Sequence, residues 1–76
     1  MKFKVGDYVI GNRKANFYVF TIEGSILKVV RVGSEGFAGI LIYHPKGSKY
    51  VGAVYDNLNY DYFDKISLKE AYSFLL

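Results

Sequence analysis

Phe3-Lys4-Val5-Gly6-Asp7-Tyr8-Val9-Ile10-Gly11 decides how the rest of the chain is read. Gly6-Asp7 is a turn dipeptide, Tyr8 to Ile10 is a short apolar strand, and Gly11-Asn12 ends it. The same alternation of short β-prone segments with glycine-bearing turns continues through most of the chain, which predicts a small β-barrel.

Downstream, Asn12-Arg13-Lys14-Ala15-Asn16 is polar and turn-rich, so the first strand leads into a long excursion rather than a tight hairpin. Phe17-Tyr18-Val19-Phe20-Thr21-Ile22 is apolar on both faces and is expected to fold back over one mouth of the barrel before Glu23-Gly24-Ser25 turns it. Ile26 to Val32 is rich in β-branched residues and predicts a strand. Its alternation breaks at Val29-Val30, where either both faces are covered or a bulge lies. A turn at Gly33-Ser34-Glu35-Gly36 leads to a strand over Phe37 to Tyr43, with Ile40 and Ile42 on one face and Leu41 and Tyr43 on the other. Tyr50 to Tyr55 is expected as the next strand, Asp56 to Tyr60 as one turn of tight helix, and Tyr62 to Ile66 as a brief closing strand. Ser67-Leu68-Lys69-Glu70 then has the form of a capping box. It opens a helix with Leu68, Ala71, Tyr72 and Leu75 at helical spacing, too short to persist in water unless it docks on something.

A chain of 76 residues is one domain that hides only about 60% of its unfolded surface. Eight tyrosines and six phenylalanines compensate, because aromatic rings bury the most area per residue. With no cysteine, neither disulfides nor thiolate metal sites contribute. No apolar run reaches membrane-spanning length, and Met1-Lys2-Phe3-Lys4 lacks the apolar core of a secretory signal, which predicts a cytoplasmic protein. The net charge of +3 comes from basic residues scattered among acidic ones, which permits nucleic-acid binding without demanding it.

Strand, long loop, three-strand meander, helical turn and short closing strand is the order of an SH3-like barrel. The likeness rests on Val5-Gly6-Asp7-Tyr8-Val9, on Thr21 with Gly24, on Val29 and Val32, and on Tyr62-Phe63-Asp64-Lys65-Ile66. The V-G-D-x-V opening resembles the first strand of KOW-type modules, and Lys4-Val5-Gly6-Asp7 to Gly11-Asn12, the Thr21/Gly24 turn and the Tyr62-Phe63-Asp64 ending together resemble small SH3-like proteins of bacteriophages and prophages. The resemblance implies a mainly β fold: a five-stranded SH3-like barrel over residues 1–66, with residues 67–76 as a C-terminal α-helix packed on the barrel or on a partner. It also implies a phage-encoded accessory role. Because this barrel hosts unrelated activities, it assigns no functional residue.

Catalysis has little to stand on. The one histidine, His44, precedes Pro45 in a turn, and no cysteine or strained serine elbow is present. Asn57, Asn59 and Asp61 match the first ligand positions of a calcium loop, but Tyr62 stands where the loop needs glycine and Leu68 where it needs glutamate. No catalytic, cofactor or metal site is therefore expected. A binding module is the remaining class. Tyrosine offers rigid area with a polar tip, and Tyr18, Tyr60 and Tyr62 are the candidates for a protein-binding surface, with core packing as the ordinary alternative. Tryptophan is absent, which argues against a proline-rich ligand. The other reading is a salt-sensitive nucleic-acid surface made by Arg13, Lys14 and Phe17 in the first long loop with Lys46, Lys49 and Tyr50 in a later one. Against it, Phe17 and Tyr18 would simply plug the barrel. The apolar ending Phe74-Leu75-Leu76 either seals one end of the barrel or contributes to a homo-oligomer.

Overall fold

Gly6 takes φ +96°, a left-handed conformation that glycine alone adopts without strain. The Asp7 carboxylate accepts from the Lys4 N–H at 2.9 Å, and the Asp7 N–H donates to the Lys4 carbonyl at 3.0 Å. This turn feeds β1, Tyr8–Gly11. The computed structural model describes residues 2–75. It continues with β2 (Ile26–Val32), β3 (Phe37–Tyr43), β4 (Val54–Leu58), β5 (Phe63–Ile66) and one helix, α1 (Leu68–Leu75). Short 3-10 turns lie at Arg13–Phe17, between β1 and β2, and at Tyr60–Tyr62, between β4 and β5. The strands form one antiparallel sheet in the order β4-β3-β2-β1-β5.

β2 and β3 occupy the spans their sequences predict. The break in alternation at Val29-Val30 is a bulge: Val29 pairs with Gly39 and Arg31 with Ala38, leaving Val30 as the extra residue. A second irregularity corrects the expected faces of β3. Leu27 pairs with Leu41 but Ile26 with Tyr43, so Ile42 is extra and Tyr43 no longer shares Leu41's environment. Leu41 is buried in the core, while the Tyr43 ring lies 5.5 Å from that of Phe74.

The fourth strand begins later than expected, at Val54 rather than Tyr50. Gly52 takes φ +97° and donates to the Leu41 carbonyl at 2.7 Å, while the Leu41 N–H donates to the Ala53 carbonyl at 2.9 Å. Pairing with β3 therefore starts at Gly52-Ala53, and Tyr50 and Val51 are spent in a turn. In the same way the tight helical turn falls on Tyr60–Tyr62 instead of Asp56 to Tyr60, because Asn59 is the residue whose side chain accepts from the Asp61 N–H, at 2.9 Å. The last strand starts at Phe63, not Tyr62. Among the described residues no ladder joins β4 to β5; they are the two edges of the sheet, separated by that 3-10 turn.

One face of every strand feeds a single buried cluster: Val9, Leu27, Phe37, Leu58 and Phe63 contribute, with Phe3 from the N-terminal segment. The rings of Phe3, Phe37 and Phe63 lock edge to face, Phe37 lying 5.3 Å from each of the other two. The opposite face, carrying Tyr8 and Ile26, receives α1. Ala71 is fully buried there, Tyr72 lies 6.4 Å from Tyr8, and Phe74 rests on Tyr43. The helix thus docks on β1 and on the end of β3. Of the proposed apolar end, Phe74 is half exposed, whereas the Leu75 side chain and Leu76 lie outside the described residues.

The capping box forms as its sequence implies. Ser67 Oγ accepts from the Glu70 N–H at 3.0 Å and the Ser67 N–H donates to Glu70 Oε1 at 3.2 Å. Ser67→Ala is expected to lower stability by about 1 kcal/mol, read as a drop in the urea midpoint at unchanged slope. No helix among the described residues is long and apolar enough to cross a membrane.

Candidate protein-binding surface

The first long loop is held by its own polar residues. Asn12 Oδ1 accepts from the Lys14 N–H at 2.9 Å, opening the first 3-10 turn. Asn12 Nδ2 donates to the Asp61 carbonyl at 2.9 Å, and the Asn12 N–H donates to the Tyr62 carbonyl at 2.9 Å. One asparagine therefore fastens the first 3-10 turn to the second. Further along, Asn16 and Glu23 bridge the loop: Asn16 Nδ2 donates to Glu23 Oε1 at 3.1 Å, and the Glu23 N–H donates to Asn16 Oδ1 at 2.9 Å. Ala15, Thr21 and Ser25 are buried beneath, so residues 17 to 20 arch over a fixed base.

At the near end of the arch Phe17 is 79% exposed. Its ring stands edge-on to Tyr18 at 5.6 Å and to Tyr62 at 6.1 Å. Tyr18 lies 5.6 Å from Tyr62 and stacks on the buried Phe63 at 6.1 Å. Its hydroxyl accepts from the Asn59 N–H at 2.8 Å, pinning the ring to the second 3-10 turn. The structure thus brings Tyr18 and Tyr62 together with Phe17 in one ring cluster. Tyr60 goes elsewhere. It packs on Phe3 and Phe37 at 5.6 and 5.4 Å, and its hydroxyl donates to the Gly33 carbonyl at 2.7 Å while accepting from the Gly33 N–H at 3.2 Å.

The residues considered for nucleic acid separate into two places. Arg13 and Lys14 are exposed on the first 3-10 turn, beside the Phe17 cluster. Lys46, Lys49 and Tyr50 lie in the β3–β4 loop, with the Lys49 ammonium 5.4 Å from the centre of the Tyr50 ring. What meets Tyr50 is Phe20, at 4.6 Å, and Phe20 also stacks on Tyr55 at 5.8 Å. Sequence reading missed Phe20 and Tyr55 as surface residues. The available signal was the run Phe17 to Phe20, too apolar for a loop that covers nothing.

Burial first, and then the charge of Tyr50, raise the Tyr55 phenol above its ordinary range, and Phe20 is one of the groups stacked on its ring. Phe20→Ser admits water and is expected to bring the Tyr55 titration back toward a value of about 10, followed by the 13Cζ shift of Tyr55. A cleft of about 520 Å³ lies between the 33–36 turn and β4. Arg31 pairs with Asp56 at its edge. A hydrogen bond from the Asn57 N–H, and then one from Arg31, hold the Asp56 carboxyl below the usual range. These neighbours account for both charges without a ligand.

His44 Nδ1 accepts from the Lys46 N–H at 3.1 Å within its turn. Among the described residues no group of three or more metal-ligating side chains could hold an ion, and the calcium-like asparagines serve the backbone instead, Asn59 as a cap and Asn57 at φ +57°. No family model matches the chain, and no curated protein or solved structure is significantly similar to it.

Proposed function

We propose that this chain is an SH3-like barrel that binds a protein partner through the ring cluster of Phe17, Tyr18 and Tyr62. For the barrel, the support is the core: all five strands send residues into one buried cluster on a single face of the sheet, while α1 occupies the other face. A sheet with no second layer over its inner face can dry that face only by curling upon itself. The strand order β4-β3-β2-β1-β5, with a 3-10 turn before the last strand, is that of the SH3-like meander. The likeness of Lys4 to Asn12, of the Thr21/Gly24 turn and of Tyr62-Phe63-Asp64 to small phage and prophage proteins is the ground for an accessory role.

For the binding role, a single observation carries the reading: Phe17 is 79% exposed yet held by two neighbouring tyrosines. An exposed ring without a binding role loses little by being polar, whereas a ring fixed before contact loses little entropy on binding. Interface hot spots are enriched in such aromatic residues. A random dodecapeptide library displayed on yeast, sorted against the chain, tests this. Enriched peptides are expected, and Phe17→Ser should weaken them by about tenfold or more while costing no more than about 1 kcal/mol of stability in urea. Absence of enriched peptides, or peptides indifferent to Phe17→Ser, contradicts the proposal.

A further inference from the structure

We infer that the two ring clusters are parts of one recognition strip whose partner is an extended peptide segment, apolar in the middle and acidic at both ends. The inference rests on the protein-binding reading above and extends it across the first loop. Residues 17 to 20 are the bridge. Phe17 and Tyr18 engage Tyr62 at one end, and two residues on Phe20 engages Tyr50 and Tyr55 at the other. Val19, between them, is 76% exposed. On the far side Phe20 and Tyr50 are 38% and 37% exposed, and Val51 also faces solvent. The apolar surface is therefore continuous along the backbone from the second 3-10 turn to the β3–β4 loop, and a contiguous patch rimmed by polar residues marks an interaction site.

Charge supplies the partner's chemistry. Arg13 and Lys14 stand at one end of the strip, Lys46 and Lys49 at the other, and none of the four is in an ion pair among the described residues. Carboxylates are sparse there. The first loop has only Glu23, engaged with Asn16, and the second 3-10 turn has Asp61. No carboxylate occurs between Glu35 and Asp56 in the chain. Cations at both ends with apolar side chains between them favour a ligand of the opposite pattern. The longest dimension of the molecule is 32 Å, so an extended occupant spans at most roughly ten residues at ~3.3 Å each.

A single-stranded nucleic acid fits less well. Its bases need open ring faces, but the rings here are turned against one another, and Lys49 lies over Tyr50. Val19 and Val51 offer no stacking surface at all.

The dodecapeptides enriched on the wild-type chain decide the matter. They are expected to carry Asp or Glu on both sides of an apolar centre. Two variants are then compared: Phe20→Ser, and the double charge reversal Lys46→Glu/Lys49→Glu, which touches no packed side chain except the Tyr50 ring. Each should weaken binding by about tenfold or more, with 15N-HSQC spectra confirming the fold. The charge-reversed protein should in turn regain affinity for a peptide whose acidic residues at that end are replaced by lysine. Peptides that lose affinity with Phe17→Ser but ignore both variants would overturn the single strip and leave the smaller Phe17 site standing. If no peptide is enriched, and labelled oligothymidylate or phosphatidylserine vesicles bind instead, the strip and the protein-binding reading both fall.

Discussion

Phe37→Ala is expected to cost about 3–5 kcal/mol, the largest single loss available in this chain. Phe37 is buried and lies within 5.4 Å of three other rings, those of Phe3, Tyr60 and Phe63. It also sits opposite Val32 and Leu58, so its side chain ties β2 and β4 to the N-terminal segment and to β5. Removing the ring forfeits its transfer free energy and leaves a cavity that interlocked neighbours fill poorly. A domain of 76 residues has a total stability of roughly 4–11 kcal/mol. The variant should therefore be largely or partly unfolded at room temperature, whereas Phe37→Leu should cost about 1–2 kcal/mol. Urea unfolding followed by tyrosine fluorescence measures both. A loss below about 1 kcal/mol for Phe37→Ala would show that this ring does not hold the core together.

Gly11→Ala is expected to be the second most damaging change, for a different reason. Its added Cβ would lie 2.7 Å from the Ile22 carbonyl oxygen and 3.0 Å from the Ala15 Cβ. Neither neighbour yields easily, since one is backbone and the other a short side chain on the first 3-10 turn. The Gly11 N–H donates to the Ser25 carbonyl at 2.9 Å, and the Gly24 N–H donates to the Gly11 carbonyl at 3.0 Å. Relief of the clash must stretch these bonds, which anchor the returning end of the loop that carries Phe17 and Tyr18. A loss of about 2–3 kcal/mol follows, together with weakening of the nuclear Overhauser contacts between Phe17 and Tyr62. Wild-type stability in Gly11→Ala would mean that the loop crosses β1 at a distance that leaves room for a methyl group.

How far the chain could be read in advance depended on where the deciding interaction lay. β2 and β3 were legible because their β-branched runs end at clear turns, and the capping box because its two hydrogen bonds involve residues three apart. β4 was not. Tyr50 to Tyr55 has the composition of a strand, but its register is set by Gly52 and Ala53 bonding to Leu41, a partner that local sequence does not reveal. The 3-10 turn was displaced for a similar reason: Asn57 and Asn59 are equally good turn formers, and only the latter finds a free N–H to cap.

The surface was partly legible too. Tyr18 and Tyr62 meet as a pair, but Tyr60 faces the core. With three residues per turn, positions 60 and 62 of a 3-10 turn point in different directions, and nothing in composition says which points inward. Phe20 escaped notice because its partners, Tyr50 and Tyr55, lie far along the chain.

Amide and aromatic chemical-shift mapping on the isotope-labelled chain, titrated with a library-selected dodecapeptide, addresses the binding surface itself. Saturable shifts are predicted at Phe17, Tyr18 and Tyr62, with the buried Phe3 and Phe37 unmoved. Shifts confined to the outer face of α1 or to the cleft beside Arg31, with the Phe17 ring unaffected at saturation, would contradict the account.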